Sequence, residues 1–509
     1  MLHILDEDIL KGEIFMSTTS FKELIDEALE INQLSINKLA TAIKVDRPWL
    51  QHALVGRRPL GYDNFEKIMS TLKVTEPLNT DIREAFAKEY FGEAEFSIVK
   101  HLLAKLNNMA NNEKSITPPP IFSGNINIFP DFIVGFSLNE KQISCVKTLY
   151  NAIFQELQNK KPVIYTTYAF DIDCVRMMLL NMVRYYEKPI DYKHISFREP
   201  NCSETSILDT FLYQYEFAGY GYNTYSANTR KGVASASPLP YLLATSTTVL
   251  YFSHDLQLFY MDDQIDAVTY VHNHFKQNFA EAIPFSYFMR SKEDFSLFTS
   301  LRPPTIEDDV LQAYDLSPNL CFASYLDADL LKDSVSDSFE HKDFFVHAVA
   351  MFFSRYTNMV QSATWSIDSL MHFAECDEEV CDYHHVTFDM LSISPENKYK
   401  LLCQLQHFAK SGQIRHFVMN NKQHMPSYFH LNIATNGLIL GFNFKVYDNE
   451  LNHKFIATAF SQDPVIFKHL RNLAEYYNHS PYVYDNLEKY AIDQIDNAVL
   501  FYKKKHNFE

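Results

Sequence analysis

Glycine, tryptophan and cysteine are scarce in this chain of 509 residues, which has 12 glycines, 2 tryptophans and 7 cysteines. The low glycine content leaves few positions for flexible linkers. An odd number of irregularly spaced cysteines is not a disulfide framework, and it indicates reduced thiols. No apolar run approaches the roughly 20 residues that cross a bilayer, and the acidic N-terminus is too short for a signal peptide. We therefore expect a cytoplasmic protein that does not contact membranes.

Positive charge is also in short supply, because 45 Lys and Arg stand against 63 Asp and Glu, a net charge of −18. A surface with this balance repels nucleic acid as a whole, so any contact with DNA has to come from one local patch. The sequence has no GxxxxGK followed by Ser or Thr, no GxGxxG after a strand, no GxSxG and no HExxH. Their absence excludes the commonest nucleotide-binding, hydrolase and zinc-protease sites.

Apolar patterning divides the chain into three predicted domains, within the two to four that its length suggests. Residues 17–110 have apolar side chains at helical spacing, which predicts an all-α domain. Residues 125–305 alternate strand-like runs, such as TTVLYFS, with amphipathic helical patterns, which predicts an α/β domain. Residues 310–509 predict an α+β domain, with an antiparallel meander around Asn436-Gly437 and a helix that starts at Asp463-Pro464. No internal repeat is apparent in the sequence.

Residues 34–74, LSINKLATAIKVDRPWLQHALVGRRPLGYDNFEKIMSTLKV, have small and apolar residues at the spacing of a helix-turn-helix. Ala40 is small where two helices cross, Leu50 fills the core, and Gly56 suits a left-handed helix end. The stretch resembles the Cro/CI-type (XRE) helix-turn-helix family, and the whole chain is similar to long Firmicutes regulators that begin with this module. The matching positions are Leu39, Ala40, Val45, Leu50, Gly56, Phe65, Ile68 and Leu72. Lys44 departs from the family, which usually has glycine in the turn.

The resemblance implies a reading helix that begins near Asp46 and enters the major groove of DNA. Arg47 would then bind guanine, and Gln51 would bind adenine or a phosphate. The predicted DNA-binding residues are Asn37, Arg47, Pro48, Trp49, Gln51, His52, Arg57 and Arg58. The predicted partners are double-stranded DNA and a second copy of the chain, because one module reads too few bases. Residues 17–90 have ten Lys or Arg and eleven Asp or Glu, a net charge of −1, which favours modest electrostatic attraction.

The middle region faintly resembles phospholipase-D-like domains, which in some regulators have lost catalysis. Those enzymes use a His-x-Lys-x4-Asp motif twice, since one histidine attacks phosphorus while the other protonates the leaving group. The nearest string here has His274 and Lys276, but Glu281 replaces the aspartate and the string occurs once. We predict a non-catalytic sensor. The alternatives are a phosphodiesterase or nuclease on this domain, and a protein-interaction module of the phage-defence or toxin–antitoxin type.

Two further clusters are weaker candidates for binding sites. A tyrosine-rich segment is predicted either to line a pocket for an unknown small-molecule or peptide effector, or to cover the sheet as a packed loop. Its candidate residues are Tyr213, Tyr215, Tyr220, Tyr222, Tyr225 and Arg230 or Lys231. The second cluster offers thiolate and imidazole ligands of the kind that zinc prefers, from His372, Cys376, Cys381 and His384 or His385. Its irregular spacing favours a chance cluster, so the sequence predicts no metal or other cofactor.

Overall fold

The computed structural model describes the helical N-terminal region and most of the sheet-forming regions. The described residues are 19–114, 136–168, 172–185, 190–197, 203–218, 222–227, 238–281, 283–284, 287–289, 313–322, 325, 328–334, 342–343, 346–347, 360–376, 394–420, 425–426, 429–434, 439–448, 453–461, 463–484 and 487–508. The chain forms two compact units. Unit 1 is Met1–Ser97 with Tyr476–Asn486, and unit 2 is Ile98–Glu475 with Leu487–Glu509. The second domain predicted from the sequence falls within unit 2, and so does the third apart from residues 476–486.

Unit 1 is a bundle of short helices, as the apolar spacing predicts. The helices are α1 (Phe21–Ile31), α2 (Ile36–Ala42), α3 (Arg47–Leu54), α4 (Tyr62–Leu72) and α5 (Leu78–Phe91), and α6 (Glu93–Lys114) begins in this unit. Ser20 caps α1 in a capping box with Glu23, which satisfies backbone N–H groups at that helix start. Leu39, Leu50 and Phe65 are fully buried in the shared core, as their spacing predicts. Burial of side chains from five different helices, α1 to α5, holds the bundle together.

Unit 2 contains two mixed sheets, the first with helices on both faces. Its strands are β1 (Val163–Thr166), β2 (Asp191–Phe197), β3 (Tyr222–Ala227), β4 (Tyr241–Ala244), β5 (Val249–Phe252), β6 (Phe259–Asp262) and β7 (Ile283–Pro284), in the spatial order β6-β5-β4-β1-β2-β3-β7. Its helices are α7 (Glu140–Leu157), α8 (Asp173–Tyr185), α9 (Glu204–Ala218) and α10 (Ile265–Glu281). Leu149 and Leu179 pack with Ile164 of β1, whereas Val271 and Phe275 pack in a second cluster with Tyr165. Alternate residues of β1 therefore supply two cores.

The second sheet contains the meander predicted from the sequence. Its strands are β8 (Tyr287–Met289), β9 (Ala313–Leu316), β10 (Val360–Ser366), β11 (Arg415–Met419), β12 (Leu431–Ala434), β13 (Ile439–Asp448) and β14 (His453–Ser461), in the order β11-β10-β9-β12-β13-β14-β8. The strands β12, β13 and β14 pair antiparallel in succession, which confirms the meander. The remaining helices are α11 (Ala328–Ser334), α12 (Ile367–Glu375), α13 (Pro395–Ser411), α14 (Pro464–Asn478) and α15 (Leu487–His506). Asp463 caps α14, because its Oδ1 accepts from the Val465 amide at 3.0 Å.

The two sheets repeat one topology, although no repeat is apparent in the sequence. In the first sheet β1 pairs parallel with β2 and antiparallel with β4, and β4 and β5 continue the antiparallel run. In the second sheet β9 pairs parallel with β10 and antiparallel with β12, and β12 and β13 continue in the same way. The repeat is not visible in the sequence because strand pairing depends on apolar alternation, which many different residues satisfy. No helix among the described residues is long and apolar enough to cross a membrane.

Candidate nucleic-acid interface

The turn between α2 and α3 has the backbone conformation that glycine favours, although it contains lysine. Lys44 has φ of 60°, in the left-handed region. Its N–H donates to the Thr41 carbonyl at 3.2 Å, and the Val45 N–H donates to the Ala40 carbonyl at 3.0 Å. These two bonds form a Schellman motif, which ends α2 and sets the direction of the chain into α3. The departure at Lys44 therefore leaves the turn geometry intact.

Helix α3 turns its apolar side into the core and ends as the sequence predicts. Asp46 precedes the helix with extended backbone, and Pro48 lies in its first turn, where proline lacks only an N–H that would be unpaired there. Leu50 and Leu54 are fully buried. Gly56 has φ of 70°, which confirms the predicted left-handed position after the helix. The Arg57 N–H donates to the His52 carbonyl at 2.9 Å, so a second Schellman motif closes α3.

Most of the predicted DNA-binding residues lie on the solvent side of this module. The exposed residues among them are Asn37, Arg47, Pro48, Gln51, His52, Arg57 and Arg58. Trp49 is different, because it is half-buried and packs against the core of unit 1. Trp49 and Ala53 are four residues apart on α3, so they share the helix side that faces the core. Trp49, which the resemblance includes among the DNA-binding residues, therefore lies at the border of core and solvent and not fully on the exposed side of α3.

The positive charge of unit 1 is concentrated around α2 and α3. Residues 34–60 contain Lys38, Lys44, Arg47, Arg57 and Arg58 but only one acidic residue, so their formal net charge is five minus one, or +4. All five basic side chains are exposed. The net charge of −1 for residues 17–90 does not reveal this patch, because ten of the eleven acidic residues in that range lie outside residues 34–60. A local excess of positive charge is what an acidic protein needs for contact with phosphates.

A buried polar network holds the C-terminal segment of unit 1, residues 476–486, to α4 and α5. Arg83 donates to Glu66 at 2.8 Å and to the His479 carbonyl at 2.7 Å. The His479 ring lies 3.0 Å from the Glu66 carboxylate and stacks on Tyr62 with ring centroids 4.0 Å apart. Burial alone would raise the pKa of Glu66, but hydrogen bonds and charge from His479 and Arg83 lower it to about 2. None of these residues was predicted from the sequence to belong to a site, because no local motif connects them.

The other predicted site residues are only partly described. Tyr213 and Tyr215 lie on α9, and Tyr222 and Tyr225 lie on β3, but their side chains are outside the described residues, as are Tyr220, Arg230 and Lys231 altogether. The predicted effector pocket therefore stays a prediction.

Half of the predicted metal cluster is described. Cys376 Sγ lies 3.4 Å from His372 Nδ1 at the end of α12. Cys381, His384 and His385 lie outside the described residues.

The residues of the incomplete phospholipase-D-like motif lie on a helix. His274 and Lys276 are exposed on α10, as their amphipathic context predicts, and the His274 ring stacks on Tyr270 with centroids 6.2 Å apart. The side chain of Glu281 is outside the described residues. Within the described part of α10, the two side chains stand on a solvated surface.

No family model matches this chain, and no curated protein matches it. Among solved structures, it matches a phosphatidylserine synthase from Haemophilus influenzae at 12% sequence identity, over 71% of this chain and 91% of that chain. The TM-score of the match is 0.20, which is too low to establish a shared fold. The resemblances to XRE regulators and to phospholipase-D-like domains therefore stay predictions from the sequence.

Proposed function

We propose that the protein is a sequence-specific DNA-binding transcription regulator, in which α3 enters the major groove and unit 2 senses a signal. The observation that carries the proposal is the exposed, basic surface of α2 and α3, built on two successive Schellman motifs. In this proposal the protein acts in the cytoplasm, catalyses no reaction and responds to a small-molecule or peptide effector.

The size and position of α3 support this role. The helix has eight residues, which makes it about 12 Å long and comparable to the major-groove width of about 12 Å. Arg47 and Gln51 are four residues apart, so both side chains are on the same solvent-exposed side of the helix. Arg47 stands in the first turn, where reading helices contact base edges. In the proposal Arg47 forms paired hydrogen bonds with guanine, while Gln51 and His52 contact neighbouring positions.

The flanking basic residues supply contacts that carry no sequence information. Arg57 and Arg58 follow the helix and are exposed, and Asn37 is exposed near the start of α2. Contacts from such residues to phosphates fix the register of the helix in the groove. Five exposed cations are a modest number, so we expect binding that is moderately sensitive to salt.

A homodimer is part of the proposal. One helix-turn-helix contacts only a few base pairs, and two copies related by a two-fold axis read two half-sites one helical turn apart. The expected operator is therefore a palindrome whose half-site centres are about 10 base pairs, or a multiple of that, apart. Light scattering of the purified chain at micromolar concentration tests the dimer independently of DNA.

The experiment begins with selection of DNA sites from a random pool by the full chain, followed by binding titrations on the selected site. Arg47→Ala is expected to weaken that site by about 1–3 kcal/mol and to relax preference at one base position. Lys88→Ala is the matched control, because it removes one positive charge from α5, outside residues 34–60, and Lys88 is already paired with Glu93. Leu50→Asp is expected to unfold unit 1, which separates folding from recognition.

Two outcomes would contradict the proposal. If the pool yields no selected sequence, the exposed basic surface is not a reader of DNA. If Arg47→Ala and Gln51→Ala both bind the selected site as well as the unsubstituted chain, α3 is not the reading helix. A partner protein retained in the absence of DNA would favour the interaction module, and phosphodiester cleavage lost with His274→Ala would favour the nuclease.

A further inference from the structure

A second polar cluster lies in unit 2, at the carboxyl end of β9. Asp315, Cys321 and His430 are all buried, and their possible ligand atoms lie within 4.8 Å of one another. His430 Nε2 is 3.1 Å from Asp315 Oδ1 and 2.9 Å from Nδ2 of the Asn432 side chain. Cys321 is not part of a disulfide. The three residues are up to 115 positions apart in the sequence, so no local motif marks them.

We propose that Asp315, Cys321 and His430 bind a divalent transition-metal ion, with zinc as the best match. Thiolate, imidazole and carboxylate are the three ligand types that zinc takes in proteins. Ligand atoms of a tetrahedral zinc ion are about 3.3 Å apart when the bonds are about 2.0 Å long. The Nε2–Oδ1 distance of 3.1 Å is close to that separation. Three protein ligands leave one position open, which is the arrangement of zinc sites that bind water or a further ligand.

The surroundings of His430 Nε2 suit a metal ligand. This nitrogen lies between a carboxylate oxygen of Asp315 and the side-chain amide of Asn432, in a buried place. With its proton on Nδ1 the ring has one lone pair, on Nε2. An ion bound by Nε2 and Asp315 Oδ1 takes that lone pair in place of any hydrogen bond from Asn432.

The loops that supply the ligands are held by specific hydrogen bonds. Ser317 Oγ donates to the Phe429 carbonyl at 3.1 Å, which joins the loop after β9 to the residue before His430. Leu320, next to Cys321, donates its N–H to Ser369 Oγ at 3.0 Å. A ligand set fixed in this way loses little conformational freedom on binding an ion.

The strand pairing places the aspartate beside the histidine. Asp315 pairs across the sheet with Asn432, two residues after His430. Buried polar groups cost free energy unless they are paired with other polar groups or bind an ion. The carboxyl end of β9, where the sheet changes from parallel to antiparallel pairing, is also a usual place for ligand sites in mixed sheets.

Cobalt(II) titration of the reduced, metal-free full chain tests the proposal, because cobalt reports its ligands by absorption. We expect one equivalent to give visible bands of a tetrahedral ion and a near-ultraviolet thiolate-to-cobalt band, both removed by one equivalent of zinc. Cys321→Ser is expected to abolish the thiolate band. His430→Gln and Asp315→Asn are expected to weaken cobalt binding by at least about tenfold. Loss of a group that only supports a metal ligand already lowers affinity by about that factor, and these two residues are themselves ligands.

Matched controls separate this cluster from the other thiols. Cys376→Ser and Cys403→Ser each remove a half-buried thiol elsewhere in unit 2 and are expected to leave the spectrum unchanged. Zinc is also expected to raise the Tm of the unsubstituted chain and not that of Cys321→Ser. If Cys321→Ser does not fold, the two other ligand variants decide the test. No thiolate band, or an unchanged band and affinity in all three ligand variants, overturns the proposal.

Discussion

His479 Nδ1 lies 3.0 Å from Glu66 Oε1, so a residue near the C-terminus of the chain contacts a helix of the N-terminal bundle within unit 1. Arg83 binds the same carboxylate and the His479 backbone carbonyl, and it is almost fully buried. A buried guanidinium is stable only while its acceptors are in place. Glu66 is therefore the central residue of a connection between α4, α5 and residues 476–486.

Glu66→Gln is expected to destabilise unit 1 by about 3 kcal/mol, because the substitution leaves the buried Arg83 without a charged partner. Urea unfolding of the full chain, followed by circular dichroism, measures this change. Glu27→Gln is the matched control, since Glu27 is exposed on α1 and its substitution is expected to change stability by less than about 0.5 kcal/mol. Equal stability of the two variants would show that the network contributes nothing to folding.

Unit 1 is expected to lose stability as the pH falls through the acidic range. The pKa of Glu66 is lowered from 4.5 to about 2 in the folded chain. Because the folded chain favours the ionised carboxylate, Glu66 stabilises the folded state fully above pH 4.5. This stabilisation, roughly 3 kcal/mol, is lost as the pH falls from 4.5 toward 2 and the carboxylate is protonated. Urea midpoints between pH 5 and pH 2 measure the loss. Glu66→Gln has no such group, so its midpoints should fall less steeply; parallel curves would contradict the assignment.

Lys44→Gly is expected to stabilise unit 1 by roughly 0.5–1 kcal/mol. Lysine is strained at φ of 60°, and glycine removes that strain. The strain removed from the folded chain is larger than the stability lost because glycine raises the conformational entropy of the unfolded chain. Lys38→Gly is the control, because the same substitution inside α2 is expected to cost about 1 kcal/mol. Thermal unfolding measures both, and a loss of stability in both variants would contradict the account of the turn.

Gly56→Ala is expected to destabilise unit 1 by about 1 kcal/mol, opposite in sign to the change at Lys44. A Cβ at Gly56 would meet no atom within 4 Å other than those of its chain neighbours, so the cost comes from its φ of 70°. Urea unfolding measures the difference. A neutral result would show that the backbone after α3 relaxes away from the left-handed region.

Arg57→Ala and Arg58→Ala are expected to weaken binding to all DNA sequences about equally, if the proposed function is correct. Each lost phosphate contact reduces the slope of log K against log salt concentration by about 0.9. Titrations at several salt concentrations on the selected site and on unrelated DNA measure both effects. A loss confined to the selected site would instead assign these arginines to base reading.

Local chemistry made several helix positions and helix ends predictable from the sequence. Leu50 and Phe65 recur at helical spacing. Gly56 takes a left-handed backbone without steric cost, and Asp463 caps the helix that follows it. These features were therefore found at the expected positions. Trp49 was placed less well, because periodicity alone does not decide how a large ring at the edge of a helix divides between core and solvent.

Tertiary structure alone decided which distant residues meet. Glu66 and His479 are 413 residues apart, and Asp315 and His430 are 115 residues apart. The repeated strand order of the two sheets is equally absent from any local pattern. A short stretch of sequence determines helix ends and turns because their energies depend on neighbouring residues. Strand order and buried polar networks depend on long-range contacts, whose partners the chain specifies only through the packing of the whole core.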